Sequence, residues 1–156
     1  MGRPQAQLLT DLSLTLVDSR ALSIYRVHSH THRDVVGCRS VRVRDYGLRS
    51  GNDNLAQAIT LRLLTPKGEL TPLGHPEYGS RLPELIGQGR TETTRNLAKL
   101  YVIEALKQEP RIARILSVDV TDHAGDRHRI NLSLRVDPID GSGPIDLGPL
   151  TLDLAP

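Results

Sequence analysis

Two apolar runs of matching period constrain this chain more than any other feature. Ile112, Leu116, Val118 and Val120 share one parity. Ile130, Leu132, Leu134 and Val136 do the same, opposite Arg129, Asn131, Ser133 and Arg135. Successive side chains on a strand face opposite ways, so each run reads as a half-buried strand. The polar stretch TDHAGDRH between them is a loop, which makes the pair an antiparallel hairpin. DPIDGSGP then reads as a flexible link to a final alternating run, Leu150, Leu152 and Leu154.

The middle of the chain has a helical period. Asn54 is placed to cap a helix with Gln57 at its third position, a variant of the capping box. Leu55, Ala58, Ile59 and Leu63 follow at helical spacing, and Pro66 stops the run. TPKG suits a type I turn with Pro66 second and Gly68 fourth. A second, short helix is expected from Ser80, burying Leu82, Leu85 and Ile86 and ending at Gly87. A third runs from about Thr91 to Gln108, with Ala98, Tyr101, Val102 and Ala105 as one stripe and Leu100 and Ile103 as another. A helix apolar on two sides is expected to be sandwiched, by its own fold or by a partner.

The front third is β-rich: Leu12, Leu14 and Leu16 alternate cleanly, Val41 and Val43 less so, until SGNDN breaks the pattern. The expected fold class is therefore α+β, a single small domain with an antiparallel sheet packed with about three helices. An N-terminal β-rich extension occupies 1–51 and the α+β domain 52–156. Regular βαβ alternation is absent, which argues against a doubly wound nucleotide fold.

The most conspicuous chemistry is RVHSHTHRDVV, which sets His28, His30 and His32 on one face of an extended strand. The outer two imidazoles then stand about 13 Å apart by strand rise. Zinc–nitrogen bonds are about 2 Å, so a straight strand cannot bring both to one ion. No metal site and no cofactor is expected. Glu69, Glu77 and Glu84 carry no sign of the paired, environment-split carboxylates of a glycosidase. Ser80 lacks the glycine two residues on that a nucleophile elbow needs, and no glycine-rich phosphate loop is present. No catalytic residue is assigned. Lone Cys38 excludes an intramolecular disulfide and fits a reducing compartment. No apolar run is long enough for a membrane span, and MGRPQAQLLTDLS lacks the core of a signal peptide. Arginines cluster between Arg20 and Arg49, whereas the charges from Asp137 onward are all aspartates, an asymmetry that suits docking to a partner. With no Phe, no Trp and four Tyr, base stacking is nearly out of reach, and nucleic acid is not an expected partner.

One corner remains. Pro110 ends the long helix, Ile112 begins the strand, and Glu109 and Arg111 flank the turn with opposite charges. They can pair with each other or with groups on another chain. LLTPKGEL, HPEYGSRLPELI and EALKQEPRIARILSVDV, in this order and spacing, resemble the contractile-tail baseplate wedge family. That family includes the tail-lysozyme-like wedge protein of contractile phages and its counterparts in type VI secretion and extracellular injection systems. The resemblance covers roughly Asn52 to Val136 and leaves the histidine segment outside it. It implies a structural, non-enzymatic baseplate part that links wedge and hub to the first sheath ring. Implied partners are other wedge proteins, the tail hub or inner tube, and the sheath subunit, in multiple copies within a six-fold particle. It also implies partner contacts at Glu109, Pro110 and Arg111, and strand exchange at the C-terminal strand, here Leu150, Leu152 and Leu154. Synthesis in the bacterial cytoplasm followed by incorporation into the particle is expected. The competing class is a peptidoglycan or metal-dependent hydrolase.

Overall fold

The structure, a computed structural model, describes residues 10–17, 24–27, 29–36 and 39–155. The chain divides into two compact units, one within Leu8–Gln57 and one holding Ala58–Pro156. The division falls inside the first helix, α1 (Gly51–Leu64), six residues beyond the boundary expected from composition.

The first unit contains three antiparallel ladders of two strands each. β1 (Asp11–Leu12) pairs with β6 (Leu48–Arg49), β2 (Leu14–Val17) with β3 (Ile24–Val27), and β4 (Ser29–Val36) with β5 (Arg39–Tyr46). The Leu12–Leu16 alternation is thus cut at Ser13, which is buried and takes a hydrogen bond from Arg49 Nε at 3.1 Å. Gln57 spans the break. Its Oε1 accepts from Leu14 N–H and its Nε2 donates to the Leu12 carbonyl, both at 2.8 Å. Gln57 therefore serves the strands, not a capping box, and the helix begins three residues before Asn54, at Gly51 with φ +60°. Asn54 lies within the helix and is buried.

The second unit is the expected α+β arrangement. Its sheet has the order β7-β8-β9, formed by β7 (Ile112–Asp122), β8 (Arg129–Pro138) and β9 (Ile145–Asp153), all antiparallel. Central β8 buries Ile130, Leu132, Leu134 and Val136, the set its alternation picked out. Helix α2 (Glu92–Leu106) packs on β7, burying the Ala98, Tyr101, Val102, Ala105 stripe. Its N-cap is Thr91, whose side chain accepts from Thr94 N–H at 3.1 Å, as capping chemistry prefers. On the second stripe Leu100 is 57% exposed, whereas Ile103 is half-buried. The core also takes Ile59 and Leu63 from α1, together with Leu82, Leu85, Leu106, Leu147 and Leu154.

Three local expectations give way. The second helix is a four-residue 3-10 turn, Leu82–Leu85, and Ile86 is extended and 50% exposed. Pro83 in its first turn is tolerated, but too few residues follow before Gly87 for an α-helix to propagate. The TPKG turn sits one residue later: Glu69 N–H bonds the Pro66 carbonyl, putting Gly68 (φ +85°) where a type II turn requires positive φ. Irregularities in β7 between Ile112 and Arg114 and between Ile115 and Ser117 reset its parity. Ile115 faces Val136 on the buried side and Leu116 is turned out, 44% exposed.

Candidate functional site

The corner after α2 is built from four separate stretches of sequence. The chain leaves α2 through Glu109, whose N–H bonds the Leu106 carbonyl, and turns at Pro110 as Ile112 N–H reaches back to the Glu109 carbonyl. Arg111 immediately precedes β7, and its carbonyl takes the N–H of Ile139 beyond the end of β8. α1 contributes Arg62, and the loop between α1 and the 3-10 turn contributes Tyr78.

Glu109 is 5% exposed and has a cation on each side. Arg62 Nη2 approaches Oε2 at 3.4 Å, and Arg111 Nε donates to Oε1 at 2.7 Å. Burial pushes the Glu109 carboxyl up, but the Arg111 hydrogen bond and the two positive charges outweigh it and hold the group below the usual carboxylate range. The Arg62 guanidinium lies over the Tyr78 ring, 4.5 Å from its centroid, a cation–π contact in a desolvated setting. Burial in turn pushes the Tyr78 hydroxyl up, against the pull of Arg62. Arg62 is 8% exposed, and among the described residues its Nε has no hydrogen-bond partner.

The loop carrying Tyr78 is closed at its neck. Lys67 N–H bonds the Ser80 carbonyl and Ser80 N–H the Thr65 carbonyl, each at 2.8 Å. Ser80 Oγ donates to the Leu63 carbonyl at 2.6 Å, which accounts for its burial without any catalytic task. Gly79 (φ +105°) is required there, because a Cβ would stand 2.6 Å from the Thr65 and Pro66 carbonyl oxygens.

Of the residues picked from sequence, Glu109, Pro110 and Arg111 are together at this corner. Leu150, Leu152 and Leu154 are elsewhere, on and just past β9. Leu150 and Leu152 face Leu132 and Ile130 of β8 and are half-buried. Leu154 is 1% exposed, with its N–H on the His128 carbonyl at 2.6 Å and its carbonyl on Gly87 N–H at 2.8 Å. The final strand is therefore fastened at its far end, and DPIDGSGP is the turn of a β8–β9 hairpin, not a loose link. Arg62 and Tyr78 were missed. The available signal was Arg62 itself: it falls three positions after Ile59 and seven after Leu55, on the apolar face of α1, where a charge needs a buried partner.

Two of the three acidic candidates, Glu77 and Glu84, are engaged at the surface. Glu84 takes both Nε and Nη2 of Arg81, at 2.9 and 2.8 Å, and Glu77 meets Lys67 at 3.2 Å. The Arg81 hydrogen bonds hold the Glu84 carboxyl low, the opposite of the shift a general acid requires. His30 and His32 lie on β4 with Cα partners Asp45 and Val43, while His28 and Cys38 fall outside the described residues. Among the described residues no three His, Cys, Asp or Glu side chains group as metal ligands, and no helix is long and apolar enough to cross a membrane.

No protein-family profile matches the chain, and no curated protein is similar to it. A solved structure is similar: a crystal structure at 1.44 Å resolution of a candidate tail lysozyme from Geobacter sulfurreducens. It shares 23% identity at a TM-score of 0.56, over 65% of this chain and 89% of that one. At that identity the likeness establishes a shared fold.

Proposed function

We propose that this chain is a structural, non-enzymatic baseplate component of a contractile injection particle, joining wedge and hub to the first sheath ring. The observation that carries the reading is the corner itself: an Arg-bearing turn whose Glu109 is locked from behind by Arg62, so that Arg111 is presented from a rigid frame. Rigid presentation is what a permanent assembly contact needs, since little ordering is left to be lost on docking. The order and spacing of LLTPKGEL, HPEYGSRLPELI and EALKQEPRIARILSVDV, and the fold shared with a protein named a tail lysozyme, support the same reading. Partners are then wedge proteins, hub or inner tube, and sheath, with the chain made in the bacterial cytoplasm and built into a six-fold particle.

β9 supplies the second contact through its backbone. It is one of the two outer strands of its sheet, and an unpaired edge accepts a neighbouring strand by main-chain hydrogen bonds. Its inward leucines belong to the core, so the edge rather than the side chains of Leu150, Leu152 and Leu154 meets the sheath. The test is Arg111→Ala in a producing strain. Sedimenting, sheathed particles should be lost while the purified variant keeps its fold. Normal, contracting particles would refute the proposal. The hydrolase reading predicts cell-wall clearing by purified protein that disappears on Glu84→Gln.

A further inference from the structure

The charges at the corner do not cancel. Arg62 and Arg111 share one carboxylate, so the three side chains together carry one excess positive charge in a site where Glu109 is 5% exposed and the Arg111 side chain 15%. Desolvated charge is costly unless a counter-charge is supplied. Of the neighbouring cations in the sequence, Lys107 is exposed and adds to the excess, whereas Arg114 is cancelled by Asp137, which it reaches at 2.7 Å. Glu109 spends its oxygens on the two arginines and is not itself available to a partner. Among the described residues Arg111 commits only Nε to Glu109, which turns the guanidinium to a fixed angle and sets its two terminal nitrogens as a fork.

We infer that this fork is a carboxylate socket: the docking partner inserts an Asp or Glu side chain, or a chain-terminal carboxylate, that pairs bidentately with the Arg111 terminal nitrogens and completes the Arg62–Glu109–Arg111 charge balance. This specifies the partner's chemistry and rests on reading the corner as a docking site. Glu109 and Arg62 are positioning residues, and Arg111 alone touches the partner. A fork of parallel N–H donors matches two carboxylate oxygens, whereas a lysine ammonium offers a point charge without that geometry.

The test follows the arginine side-chain NMR signals of the full-length protein during titration with N-acetylglutamate α-methylamide, with N-acetylglutamine α-methylamide as the neutral control. A saturable shift of the Arg111 signals, larger than any at Arg62, is expected with the acid alone. Arg111→Lys, which keeps the charge and the fold, should weaken binding several-fold, read from the chemical shifts of neighbouring backbone amides. No shift at Arg111, equal shifts with the amide, or undiminished binding by Arg111→Lys would each overturn the socket. The outcome is separable from particle assembly: binding here alongside normal particles from Arg111→Ala would fault the baseplate reading only.

Discussion

The Glu109 corner and the final strand are held in opposite ways. The corner is a polar cluster in which one carboxylate serves two guanidiniums, and its geometry depends on directional bonds. The β9 end is an apolar seam in which Leu147 and Leu154 are buried against the rest of the sheet and core. Buried ion pairs are weak sources of net stability but unforgiving when one member is removed, whereas buried leucines stabilise in proportion to the area they hide. The corner is suited to holding one side chain at a fixed angle, and the seam to keeping the sheet closed.

The largest expected effect separates fastening from display. Removing 150–156 deletes Leu154 and the second half of the β8–β9 ladder, so the cooperative thermal transition should be lost. A truncated protein that melts like the parent would show the tail to be dispensable packing. Glu109→Ala strands two arginines and should cost about 3–5 kcal/mol in denaturant unfolding. The double replacement Arg62→Met with Glu109→Met should recover most of that, and no recovery would mean the corner is held by something other than charge pairing. Leu154→Ala should cost about 2–5 kcal/mol with no dependence on pH.

Acid distinguishes the two regions at smaller amplitude. Folding lowers the Glu109 pKa, so the unfolded chain takes up the proton first and stability falls with pH. This contribution is complete above the ordinary carboxylate value of about 4.3 and is lost as pH drops through the lower folded value. Comparing the pH dependence of Glu109→Gln with that of the parent should show the parent losing more of its stability over that window. Smallest of all, Leu116→Ser should change stability by no more than about 0.5 kcal/mol, because the strand irregularity has already turned Leu116 to solvent.

Periodicity made most of the second unit legible. The β7–β8 pairing, the buried face of β8 and the core stripe of α2 follow directly from alternation and from three-to-four spacing. What escaped were interactions that period cannot encode. Leu116 has the right parity in sequence and the wrong one in space, since each extra residue in β7 inverts the count. Gln57 stands where a capping residue would, yet its amide is complementary to two backbone groups 43 and 45 residues away. Glu109 and Arg111 were visible as a charged pair, but their alternatives were equal on paper. Arg62, 47 residues upstream of Glu109, shows how the carboxylate is used.

Irregularities in both outer strands also limit how a further strand could be added to the sheet. β7 and β9 are both outer strands, yet a strand laid along β7 would lose step with its hydrogen-bonding groups twice within six residues, at 112–114 and again at 115–117. β9 has an irregularity of its own between Leu147 and Leu150, where Pro149 also lacks an N–H, and only the stretch from Leu150 to Asp153 then pairs with β8 without interruption. Such distortions are a recognised defence of exposed strands against indiscriminate pairing. With both flanks interrupted, an incoming strand could run in step along only a short stretch of either edge, Ser117–Asp122 of β7 or Leu150–Asp153 of β9.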